Sequence, residues 1–216
     1  MPASVPAMVN PPLLEWAREE SGYALEQVAK RLGTKPERVR AWEKGEVRPS
    51  VRQVQELSKF YHRPFGIFFL QERPKLPPLS AEYRRLPGVR QGEETPEFRL
   101  ALRLMSLRRA QALELSEEID AEFPEFALEI HLQEPVTEAG DRLRRALAVD
   151  PARQSAWRDD WQAWREWRAA VESLGVLVFQ FPKVRLTEAR GLALLDFPLP
   201  AIGINSKEFA PAARAF

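Results

Sequence analysis

Cysteine is missing from this chain. Its absence excludes disulfides, thiolate zinc sites, iron–sulfur clusters and cysteine nucleophiles together, and suits a reducing cytosol. A long hydrophobic run is missing too. FGIFFL is the longest, far short of the roughly 18 apolar residues that a membrane-spanning helix needs. The N-terminal MPASVPAMVNPP has no basic region ahead of an apolar stretch, which excludes a secretory signal of the usual form. Charge of one sign is also lacking: the net charge is +1. A polycation is excluded, and any nucleic-acid contact must rest on a local patch. What is present is a 44% hydrophobic chain of 216 residues, enough for a sizeable core in one large domain or two small ones. Proline is frequent, at 19, and arginine greatly outnumbers lysine; both are hints of genome composition or heat tolerance.

The first seventy residues have helical spacing. Leu25, Val28, Ala29 and Leu32 fall at i, i+3, i+4 and i+7. Gly33 then permits a left-handed turn, and Thr34 with Glu37 is spaced as a capping box for a short third helix. Pro36 sits in its first turn, Val39 and Trp42 supply its buried side, and Gly45 ends it. Ser50 and Gln53 form a second capping box ahead of Val51, Val54, Leu57 and Tyr61, and a fifth short helix is predicted over Arg63–Leu70.

Short helices joined by a glycine turn and braced by others make a helix-turn-helix, whose third helix offers its leading half to the major groove. Here that half carries Lys35, Glu37, Arg38 and Ala41, with Arg40, Lys44 and Arg48 near enough to meet phosphate. Between Pro12 and Leu70 there are eleven Lys and Arg against eight Asp and Glu. This local excess makes binding salt-sensitive, and a dimer would double it. The competing reading is a five-helix bundle that merely packs. VAKRLGTKPERVRAWEKGEVRPSVRQVQELSKFY resembles the Xre (Cro/repressor) helix-turn-helix family, through ALEQVAKRLG, WEKGEVRPS and the apolar fourth helix. That resemblance implies a prokaryotic regulator acting as a dimer on paired half-sites. It also implies a pair, Arg18 with Glu43, that orients the third helix. The chain departs from the family pattern at Leu25 or Ala24, where a phosphate-touching polar residue is usual, and at Pro36 and Glu37 among the reading positions. Glu37 could accept from cytosine or cap its own helix, and Ala41 could meet a thymine methyl or act as filler.

QERPKLPPLSAEYRRLPGVRQGEETPE, with five prolines and two glycines, reads as an extended connector. Thr95 and Pro96 open a long helix over 96–123 that is basic first and acidic later. From Glu114 to Glu138 there are nine carboxylates and no Lys or Arg. Such a block forms a solvated face, or a surface for the basic half of a partner subunit. TEAGDRLRRALAV reads as a further helix, and Asp150 with Pro151 caps the next. Trp157, Trp161 and Trp164 then follow helical spacing, with Trp167 widening the stripe, which suits core or interface. VLVFQF, GLALLDF and AIGIN read as three strands.

The tail resembles a second family. LRRALAVD, WREWRAAVESLGVLVFQFPKV and GLALLDFPLPAIGINS, with SAEYRRLPG upstream, are similar to the ImmA/IrrE zinc-metallopeptidase-like domains. The resemblance implies a helix carrying H-E-x-x-H after the third strand, with two histidines on the metal and the glutamate activating water. The two histidines, His62 and His131, lie about seventy residues apart and cannot supply that motif. His62 is expected to end the fourth helix, and His131 to lie on a surface or interface. The chain runs out after NSKEFAPAARAF, where that helix would begin. The polypeptide is thus expected to be a shortened form of a longer regulator or a natural form without the metal site.

The sequence therefore predicts a mostly α fold. A five-helix helix-turn-helix domain over 1–72 and a linker over 73–95 precede an incomplete α+β domain over 96–216, with a sheet of about three strands. The expected function is a cytoplasmic DNA-binding transcriptional regulator that is not an enzyme. It holds no metal or cofactor, makes no contact with membrane, and binds double-stranded DNA as a homodimer, with room for a protein partner. Two alternatives stand beside it. One is a fragment of a zinc metallopeptidase-regulator that cleaves a repressor-like partner, and the other is an antitoxin-like protein-interaction module.

Overall fold

The computed structural model describes residues 5–75 and 94–208. The chain is mostly helical with one small sheet, and forms two compact units that divide between Leu100 and Ala101. Most of the expected connector, residues 76–93, and residues 209–216, where the helix after the third strand is expected to begin, lie outside the described residues.

The first unit is built from α1 (Pro11–Glu20), α2 (Leu25–Leu32), α3 (Pro36–Glu43) and α4 (Val51–Tyr61), followed by a 3-10 helix at Phe65–Phe69 within the short fifth helix predicted over Arg63–Leu70. Leu13, Leu14, Ala17, Val28, Ala29, Val39, Trp42, Val54, Leu57, Tyr61 and Phe68 bury together in one core. α4 starts as its spacing predicts. The Gln53 amide donates to Ser50 Oγ at 3.2 Å, and the Ser50 amide donates to Gln53 Oε1 at 2.8 Å. Removing this cap with Ser50→Ala is expected to lower the stability of the unit by about 1 kcal/mol, read by urea denaturation.

The proline-rich leader is not a free tail. Ala7 N donates to Pro49 O at 2.8 Å, Val51 N to Val5 O at 3.0 Å, and Asn10 N to Phe68 O at 2.8 Å. The Asn10 side chain adds bonds to Leu70 O and Gln71 O, both 3.0 Å. These bonds satisfy polar backbone at the start of α4 and around the 3-10 helix, and bring Ala7 and Val9 of the leader onto the core.

The second unit holds α5 (Pro96–Glu118) beyond its first turn, α6 (Val136–Ala146), α7 (Pro151–Ser155), α8 (Asp160–Glu172), β1 (Leu177–Phe181), β2 (Gly191–Leu194) and β3 (Ala201–Asn205). Thr95 Oγ1 accepts from Phe98 N at 3.3 Å and opens α5, which stops at Glu118, earlier than predicted. Its end is a bend into Asp120, held at φ 52. The sheet order is β1-β3-β2, with β3 parallel to β1 and antiparallel to β2. Alternation puts Phe179, Leu192 and Gly203 on one face. There Gly203 matters: a Cβ on it would lie 2.5 Å from Met105 Sδ, so α5 packs on the strand itself. On the other face Val178, Ile202 and Ile204 line an apolar groove of about 540 Å³ with Leu143, Trp164 and Trp167.

The tryptophan stripe is arranged differently from the prediction. Asp150 caps α7 through Arg153 N at 2.7 Å, but Asp159 caps a separate helix, α8, through Gln162 N at 2.7 Å. Trp157 falls in the break between them and cannot continue a stripe through Trp161 and Trp164. It meets Trp167 edge-on at 5.8 Å instead, Trp164 is buried, and Trp161 is 54% exposed. A second aspartate at N-cap spacing broke a pattern whose period continued through it.

Candidate nucleic-acid interface

The start of α3 is set by the end of α2. Gly33 adopts φ 61, and Thr34 N donates back to Ala29 O at 2.9 Å. That bond makes Thr34 part of the closing turn of α2. The cap of α3 therefore passes to Lys35, which makes no side-chain capping bond. The predicted Thr34–Glu37 capping box does not form, and Glu37 is left on the outside of the first turn. A carboxylate there is still favoured by the helix dipole.

Val39, Trp42 and Glu43 form the inner side of α3. At about 100° per residue, the opposite side has Glu37, Ala41 and Lys44 along its middle, Arg38 on one flank and Arg40 on the other. Lys35, Glu37, Arg38, Arg40, Lys44 and Arg48 are exposed, and Ala41 is half-buried. Lys35, Glu37, Arg38 and Ala41 share one shallow concavity with Thr34 and Val47. Arg40 stands on the far flank from that concavity. Lys44 and Arg48 follow the helix end, in the turn leading to α4.

A buried ion pair ties the last turn of α3 to α1. Arg18 Nε donates to Glu43 Oε1 at 2.7 Å and Arg18 Nη2 to Glu43 Oε2 at 3.0 Å, a two-point fork. Arg18 Nη1 also donates to Tyr23 O at 3.3 Å. The two side chains are 13% and 5% exposed. One guanidinium thus ties α1, the turn before α2 and the last turn of α3. Its bond to Glu43 raises the Arg18 pKa above its ordinary value, against the opposing effect of burial.

Other supports were not evident from the sequence. Gln27 Oε1 accepts from Ala24 N at 2.8 Å, half of a capping box whose other member is alanine. Arg63 is 7% exposed and lies 4.6 Å over the ring of Trp16, a cation on an aromatic face. Burial lowers its pKa. His62 ends α4 in the left-handed region at φ 52, and His131 is exposed. Among the described residues no helix is long and apolar enough to cross a membrane.

The helix-turn-helix family model matches residues 14–68, from α1 into the 3-10 helix. Neither curated proteins nor solved structures give a match to the chain. The matched segment contains α2, α3, the concavity and both members of the Arg18–Glu43 pair. It supports a DNA-binding module of the Xre type over these residues, and does not extend to the second unit.

Proposed function

We propose that the helix-turn-helix domain at residues 14–68 makes this chain a transcriptional regulator that acts by occupying duplex DNA. α3 enters the major groove, with Lys35, Glu37, Arg38 and Ala41 toward base edges and Arg40, Lys44 and Arg48 on phosphates. In this reading the chain works in the cytoplasm and is not an enzyme. The domain at 96–216, ImmA/IrrE-like by its sequence, senses a signal or pairs two copies. The observation that carries the reading is the outer face of α3, which exposes Lys35, Glu37, Arg38, Arg40 and Lys44 around half-buried Ala41 on a helix whose last turn is bonded to α1 through Arg18 and Glu43.

The positions sort by chemistry. Ala41 offers a methyl to a thymine methyl, and the Glu37 carboxylate can only accept, which suits the cytosine N4 amino group. Facing phosphate, Glu37 repels. Its cost is offset by the cations on both flanks and beyond the helix end.

The test is binding of duplex fragments, selected first from genomic DNA, followed at several salt concentrations. Arg38→Ala is expected to weaken binding by roughly tenfold at low salt and to relax preference at one position. Lys44→Ala is expected to weaken all sequences alike and to lower the salt slope by about 1. Affinity unchanged by both substitutions at low salt overturns the reading.

A further inference from the structure

α5 carries two apolar faces. One, with Ala101, Leu102 and Met105, is buried. The second consists of Leu104, Leu107 and Leu115, which are 40%, 52% and 55% exposed, and Ile119, 64% exposed, follows just past the helix end. At 3.6 residues per turn these side chains fall on one stripe, with exposed Gln111 at its middle. A row of large aliphatic residues along about three turns is unusual on a surface that meets only water. A stripe this straight and narrow fits another helix better than a compact ligand.

Charge selects which helix. Beside this stripe Arg108, exposed with its guanidinium 5.9 Å from the Phe179 ring, precedes Gln111, while Glu114 and Glu118 follow it; Arg109 turns away to the carbonyls of Leu199, Asp196 and Pro198. This order opposes the helix dipole, so it does not serve the helix alone. A copy of the same helix laid antiparallel sets the acidic half of each beside the basic half of the other. Laid parallel, like would face like.

We infer that two copies of the chain pair through α5, antiparallel, about a two-fold axis at Gln111. The axis sets Leu107 of each copy against Leu115 of the other, and Arg108 against Glu114. The contact is isologous and closes at two copies. This deepens the pairing role proposed for the second unit, and DNA binding can fail without affecting it.

The absence of cysteine allows a direct test in the full chain. Gln111→Cys is expected to form a disulfide-linked dimer on mild oxidation. Leu107→Cys is expected to cross-link when mixed with Leu115→Cys, and neither to link with itself. In the antiparallel arrangement two copies of residue 107 stand eight residues apart along the axis, about 12 Å, beyond disulfide reach. In sedimentation, Arg108→Glu and Glu114→Arg are each expected to raise the dimer dissociation constant at least about tenfold. The combined reversal is expected to restore it. Circular dichroism of each variant shows whether the fold is kept, and the restored double variant excludes misfolding as the cause. Self-linking of Leu107→Cys, a monomeric wild type at every concentration, or a dimer indifferent to the reversals overturns the proposal.

Discussion

Arg18→Ala is expected to destabilise the first unit by about 3–5 kcal/mol and to abolish DNA binding at 37 °C. The size follows from what remains. Glu43 is 5% exposed at its side chain, and loses a two-point partner without gaining water. Tyr23 O loses a donor as well. Glu43→Ala is expected to cost less, because the guanidinium keeps Tyr23 O at 3.3 Å and the Glu19 carboxylate at 3.6 Å. Replacing both, Arg18→Met with Glu43→Leu, removes the stranded charge and is expected to recover most of the stability. Stability and function should then separate. The double variant keeps a folded core, but only the apolar packing of Val39 and Trp42 then holds α3 against α1, without the directional bonds of the fork, so DNA affinity stays low. Denaturation followed through Trp16 and Trp42, with binding measured on the same samples, tests both halves. A double variant that binds like the wild type would show that the fork stabilises the fold without aiming α3.

The contrast between the units lies in how local their determinants are. α2, α3 and α4 were legible because each carries its own periodic face and stop signal, and because Ser50 and Gln53 supply a cap within four residues. The face of α3 was equally legible, since helical geometry follows from spacing alone. Thr34 was misplaced because two local rules competed for it. The closing bond of α2, to Ala29 O, took the residue before it could cap α3. The return of the leader onto Pro49 and Phe68 was invisible, since it depends on backbone bonds that no side-chain pattern announces.

In the second unit the strands were legible from β-branched and aromatic content, but their order was not. β3 lies between β1 and β2 because the chain returns past its own neighbour, and no residue marks that choice. Arg109 shows the same limit. In sequence it is one arginine in a basic half-helix. In the fold it donates to the carbonyls of Leu199, Asp196 and Pro198 at 2.9, 2.9 and 2.7 Å, and so secures the β2–β3 connection to α5. Asn205, legible only as a strand exit, is wholly buried and donates to Val184 O and Ala189 O at 3.1 and 2.8 Å. Residues that hold connections together take their meaning from chain segments that composition cannot place.

Gly175→Ala is expected to cost the second unit about 3 kcal/mol, against about 1 kcal/mol for Gly33→Ala in the first. Both glycines end helices in the left-handed region, at φ 78 and φ 61. A Cβ on Gly33 meets nothing within 4 Å, so only the conformational cost applies. A Cβ on Gly175 would lie 2.3 Å from Pro124 O, a backbone atom that cannot turn aside as a side chain would. Either the 119–135 segment shifts away from the start of β1 or the turn out of α8 opens. Both loosen the packing of Trp167 and Leu174 around Val149. The four tryptophans between Trp157 and Trp167 report on this unit, and Trp16 and Trp42 on the other. Substituting Trp16 and Trp42 by Phe in a parallel background separates the two fluorescence signals. The second unit of Gly175→Ala should then unfold at lower denaturant while the first is unchanged, and Gly33→Ala should do the reverse to a smaller extent. Equal shifts for the two substitutions would mean that Pro124 yields without cost, and that the contact at Gly175 does not hold the loop to the sheet.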